Sequence, residues 1–141
     1  MEEPPGSTEP LEELCESLRL HLKIYLHQRK NRHIWLAREH DLVVGLLDFY
    51  HQPEELFIRF ICAIPPRHGN GTRLLRHLAD YGLSKQIPVI KTTVSSLDQR
   101  AQEFYFRHLG FQKIGSRTED LGFDLFIIKI HPQDLLNNTE M

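Results

Sequence analysis

A chain of 141 residues with 40% apolar and 26% charged residues has room for one domain around a single core, without disulfides or a structural metal. A net charge of −2 gives no general attraction to nucleic acid or to an anionic lipid surface, and the apolar runs are broken by Asp48 and Arg59 before they reach the length of a membrane span. The acidic, proline-containing N-terminus lacks the basic and apolar regions of a secretory leader, so the cytoplasm is the expected compartment.

Residues 1–9 read as a tail. From Leu11 the positions Leu11, Leu14, Leu18, Leu22, Tyr25 and Leu26 recur at three and four residues, which predicts an amphipathic helix to about Arg29. Three strand-like runs follow, His33 to Arg38, Leu42 to Tyr50 and Leu56 to Ile64, separated by turns at His40-Asp41 and Gln52-Pro53-Glu54-Glu55. The third run breaks at Pro65-Pro66-Arg67-His68-Gly69-Asn70-Gly71 and passes into leucines at helical spacing, so residues 58–75 read as strand, turn and helix, the helix running over 72–86. A glycine-bearing turn into a helix leaves backbone N–H groups without intrahelical acceptors and carries about half a positive charge, which makes it an anion site. Gly69 and Gly71 would admit a phosphate close to the backbone, with Arg67, His68, Arg73 and Arg76 nearby. Taken alone, Gly-Asn-Gly fits an ordinary tight turn as well as a ligand site, and the Lys-Ser/Thr pair of a P-loop does not follow it.

Pro88 to Val94 predicts a short strand parallel to the preceding one, because a helix separates them. Ser96 or Asp98 then caps a helix whose body is Arg100 to Leu109, ended by Gly110. Phe111 to Ile114 and Phe123 to Ile130 form a final strand pair, and residues 132–141 read as a polar tail. The expected fold class is α+β, a mixed, mostly antiparallel sheet with flanking helices, in one domain over residues 10–131. Cys15 and Cys62 are expected as reduced thiols, Cys62 in the core. Nine histidines include no i,i+4 pair and have no Cys-x-x-Cys beside them, so no metal is expected.

The stretch Gly69-Asn70-Gly71-Thr72-Arg73-Leu74-Leu75 and the stretch Ala101-Gln102-Glu103-Phe104-Tyr105-Phe106-Arg107-His108-Leu109-Gly110-Phe111 together resemble the GNAT superfamily of acyl-CoA-dependent N-acyltransferases. The resemblance covers roughly residues 33–130 and implies acetyl-CoA as co-substrate and an amine-bearing acceptor as partner. It places the coenzyme pyrophosphate on Arg67, His68, Gly69, Asn70, Gly71, Thr72 and Arg73, and the pantetheine arm along Ile61, Cys62 and Ala63, where the strand is expected to splay from Lys91 to Val94. Tyr105 is the implied proton donor. Base candidates cluster at one strand-turn-strand: Glu55 first, with Glu54, Asp48 and His51. Pro66 stands where the family has Gln or Arg, and Phe106 where it usually has Tyr. Adjacent helical residues point about 100° apart, so Tyr105 reaches the thioester only if one extra residue is absorbed as a π-bulge around Arg107-His108-Leu109. The alternative reading is a coenzyme-binding or interaction protein that keeps the fold without efficient chemistry. The identity of the amine and self-association as a homodimer stay open.

Overall fold

The computed structural model describes residues 31–40, 42–63, 69–119 and 122–140. The helix predicted over Leu11 to Arg29 lies outside the described residues, as do Ile64, Arg67 and His68. Among the described residues six strands form one sheet in the order β1-β2-β3-β4-β6-β5. They are β1 (Arg32–Glu39), β2 (Leu42–His51), β3 (Glu55–Ala63), β4 (Val89–Ser95), β5 (Gln112–Thr118) and β6 (Asp124–Ile130). Only β3 and β4 run parallel, joined by the crossover helix α1 (Asn70–Ser84). A five-residue helix α2 (Gln99–Glu103) continues into a π-turn over Phe104–His108, and α3 (Pro132–Asn138) follows β6.

Alternation of side chains sends the two faces of β1 to β3 to two apolar layers. Trp35, Leu47, Phe49 and Ile58 join Leu74, Leu75 and Leu78 of α1 in the main core, while Ile34, Leu36, Val43 and Leu46 form a second cluster with Phe60 and Cys62 packed on it. In α1 the leucines at helical spacing, Leu74, Leu75 and Leu78, are buried together with Ala79 and Gly82 on one face.

Residues 132–138, expected as part of a tail, are helical. Pro132 occupies the first turn, where a missing N–H costs nothing; His131 caps it by accepting from Gln133 N–H at 3.0 Å. Leu135 is fully buried, which stabilises the docked helix by about 2 kcal/mol. Arg76 of α1 donates to the Leu136 carbonyl at 3.0 Å and to the Thr139 hydroxyl at 3.2 Å, so that arginine, expected beside a phosphate, instead holds α3.

Candidate active site

The site begins where the parallel ladder stops. β3 and β4 pair at Glu55↔Val89, Leu56↔Ile90 and Phe57↔Lys91, after which the Thr92 hydroxyl donates to the Ile58 carbonyl at 3.0 Å. On its other side β3 carries a bulge: Phe49 pairs with Ile58 and Asp48 with Phe60, so Arg59 is the extra residue. A bulge bends its strand and increases its twist. Beyond it β3 continues to Ala63 alongside β2, while β4 continues to Ser95 alongside β6. The β3–β4 ladder therefore ends before the expected splay, and a cleft of about 800 Å³ lies between the end of β3 and the residues that follow β4.

One wall of that cleft is the end of β3 and the start of α1: Ile61, Cys62, Ala63, Gly69, Gly71 and Thr72. Gly69 adopts φ +81 at the cap position and supplies no side-chain cap, and the first turn of α1 carries no acidic residue. The first helical bond runs from Arg73 N–H to Gly69 C=O at 3.0 Å, so the N–H groups of residues 70–72 precede the helical ladder. A Cβ built on Gly69 or on Gly71 would meet no heavy atom of the described residues within 4 Å. Both glycines thus front open space at the positive end of a 15-residue helix. Asn70 and Arg73 are placed differently. Asn70 is buried and accepts from the Arg73 guanidinium, which also lies 3.7 Å from Glu39.

The facing wall is side chain. It comprises Asp98, Arg100, Ala101, Glu103, Phe104, Tyr105 and His108, from α2 and the π-turn. Asp98, one of the two expected caps, accepts from Ala101 N–H at 2.9 Å. Leu109 N–H bonds to Phe104 C=O at 3.0 Å, an i to i−5 bond, and Phe111 N–H reaches Tyr105 C=O at 2.9 Å across Gly110 at φ +83. The extra residue is therefore absorbed as the counting from Gly110-Phe111 required. Tyr105 is 8% exposed, with its ring edge-on to Phe104 and Phe111. Burial, reinforced by the Asp98 carboxylate, pushes its phenol up to about 12.

The base candidates are not brought to this cleft. Glu55 lies at the start of β3, paired with Lys91 at 3.5 Å, and the six residues from it to Ile61 span roughly 20 Å at about 3.3 Å each. Glu54 sits exposed in the turn before it. Asp48 is fully buried in a bidentate pair with Arg32, one arm of which measures 2.8 Å. His51 bonds through Nδ1 to the Tyr81 hydroxyl; burial first, then His33 and Lys85, lower its pKa. The carboxylates that do line the cleft are Asp98, expected from the sequence only as a helix cap, and Glu103, to which no sequence pattern assigns a role. Among the described residues no cluster of His, Cys, Asp and Glu could hold a metal, and no helix is long and apolar enough to cross a membrane.

Residues 2–111 match the model of the acetyltransferase (GNAT) family. No curated protein sequence matches the chain. The structure is similar to the ribosomal-protein-S18-alanine N-acetyltransferase from Escherichia coli, with a TM-score of 0.66 at 19% identity over 77% of this chain and 74% of that one. The aminoglycoside 6'-N-acetyltransferase from Enterococcus faecium aligns with a TM-score of 0.67 at 16% identity over 86% and 90%. A GNAT family acetyltransferase from Elizabethkingia anophelis with acetyl-CoA bound aligns with 0.70 at 15% identity over 89% and 92%.

Proposed function

The chain belongs to the GNAT acetyltransferase family, and from that premise we propose that it moves an acetyl group from acetyl-CoA to a primary amine by direct attack of the amine on the thioester. One observation carries the reading. A single cleft joins an uncapped helix N-terminus fronted by two glycines to a buried, protonated phenol.

The N–H groups of residues 70–72 hold the coenzyme pyrophosphate, because they are aimed out of the helix and both glycines leave room for the oxygens. The β3 segment Ile61, Cys62 and Ala63 carries the pantetheine arm in the manner of an added strand, since its edge faces the cleft. Arg67 and His68, which the family resemblance assigns to the pyrophosphate, lie outside the described residues. Acetyl-CoA brings the activated acyl group and a sulfur leaving group. As the amine nitrogen bonds to the acyl carbon, the carbon–sulfur bond breaks, and Tyr105 gives its proton to the departing sulfur. With a phenol pKa of about 12, Tyr105 is protonated throughout the neutral range. The proton shed by the nitrogen leaves to solvent, and Tyr105 is reprotonated from it. Glu55 does not take part in this scheme, because it stands at the far end of β3.

Calorimetric titration with acetyl-CoA, paired with coenzyme release across a panel of amines, tests the reading. Binding together with amine-dependent release is expected. Binding with no release for any amine would favour a coenzyme-binding module, and absence of binding would remove the site.

A further inference from the structure

The π-turn raises a question of register, because a five-residue turn closed by i to i−5 bonds has poorer geometry than a regular helix and persists where its surroundings hold it. In a regular helix Leu109 N–H would bond to Tyr105 C=O; here it bonds to Phe104 C=O at 3.0 Å, and the Tyr105 carbonyl is taken by Phe111 N–H at 2.9 Å. The Leu109 carbonyl comes after the last helical residue and is met from outside the turn. Asn138, at the end of α3, donates its side-chain amide to that carbonyl at 2.9 Å. The fit is close, because a Cβ built on Gly110 would collide with Asn138 Nδ2. Asn138 is itself fixed, since Arg76 binds the Leu136 carbonyl and Thr139, Leu135 is fully buried, and Pro132 packs where a Cβ on Gly82 would lie 3.1 Å away.

We propose that Asn138 is the positioning residue that selects the π register and so turns Tyr105, rather than Phe106, toward the reacting centre. Reversion to a regular helix would rotate the end of the turn by about one residue, roughly 100°, and carry the Leu109 carbonyl away from the Asn138 amide. The bond therefore distinguishes the two registers. α3 lies beyond residue 111, where the family match ends. The catalytic consequence rests on the reading of Tyr105 as proton donor, whereas the structural claim does not.

The test uses the full chain labelled with 13Cζ-tyrosine, the Tyr105 resonance being assigned by its loss in Tyr105→Phe. Asn138→Asp keeps the shape and removes the donor, and Asn138→Ala serves if the aspartate disturbs folding. In either variant the Tyr105 resonance should shift and its titration should fall from about 12 toward the ordinary value of 10. Amine-dependent release of coenzyme should slow by about tenfold or more while acetyl-CoA affinity is unchanged. Combining the change with Tyr105→Phe should add no further loss, because the residue acts through Tyr105. An unmoved resonance and titration in both folded variants would overturn the proposal. A resonance that moves, while Tyr105→Phe alone leaves turnover intact, would uphold the positioning role and discard the proton-donor reading.

Discussion

The two walls of the cleft are built by different means. The β3 to α1 wall comes from residues 61–63 and 69–72, close together in the chain, and offers mainly backbone: a strand edge, two glycines and the N–H groups of a helix start. The α2 to π-turn wall offers side chains, and their aim depends on α3, which arrives from residues 132–138. Backbone donors at a helix start are positioned by the helix itself and tolerate most side-chain changes nearby. A phenol on an irregular turn is positioned by whatever packs on the turn. The first wall should therefore fail only when its space is filled, and the second when a single group or a distant bond is lost.

The largest effect is expected from filling the first wall. Gly71→Glu puts a carboxylate into the open space before the α1 N-terminus, where it both occupies the cradle and repels a diphosphate. Acetyl-CoA binding measured by calorimetry should disappear while circular dichroism shows a retained fold; unchanged affinity would mean that the phosphates bind elsewhere. Removing the phenol from the second wall comes next. Tyr105→Phe should cut turnover by roughly 10²-fold or more with coenzyme affinity preserved, the separation of binding from chemistry that the two walls predict. Equal turnover would leave the sulfur to depart without a proton donor.

Burial of the second wall also has a consequence for stability. The Tyr105 phenol has a folded pKa of about 12 against an ordinary 10, so the fold binds that proton more tightly than the unfolded chain does. The associated stability is complete below pH 10 and declines as pH rises from 10 to 12, by about 2 to 3 kcal/mol. Melting temperatures of the wild type should therefore fall more steeply over that window than those of Tyr105→Phe, in which the other titrating groups remain; parallel curves would place the phenol in water. The smallest effect is expected from a side chain that the family resemblance assigns to the pyrophosphate. Arg67→Ala should weaken acetyl-CoA binding by about 1 kcal/mol, because a charge that water and salt screen adds little where backbone amides hold the ligand. A loss above about 3 kcal/mol would make the side chain, and not the backbone, the anchor.

What was legible in the sequence follows the same division. Strand-like runs separated by turn residues marked β1 to β3, and leucines at helical spacing marked α1, because both patterns are local. The π-turn was legible by counting, since Phe106 falls where the family has tyrosine and Gly110-Phe111 fixes the end of the turn. α3 is not visible in the sequence because its seven residues are mostly polar and too few to show a period, while Pro132 acts as a helix starter only because it stands in the first turn. Asp98, Arg100, Glu103 and His108 reach the cleft only through the folding of α2 and the π-turn against β4 and the rest of the domain, which no spacing encodes. The position of Glu55 was open to arithmetic: β3 runs from the turn toward the cleft, and six residues of extended chain separate the two.

A crystal structure of the chain with acetyl-CoA bound tests the central claim most directly, because both walls are read in one map. The account predicts the diphosphate within hydrogen-bonding reach, about 3 Å, of the N–H groups of residues 70–72, the pantetheine along Ile61 to Ala63, and the sulfur beside the Tyr105 hydroxyl. A diphosphate bound away from the start of α1, or a sulfur that faces Phe106 or solvent while Tyr105 stays within the core, would contradict it.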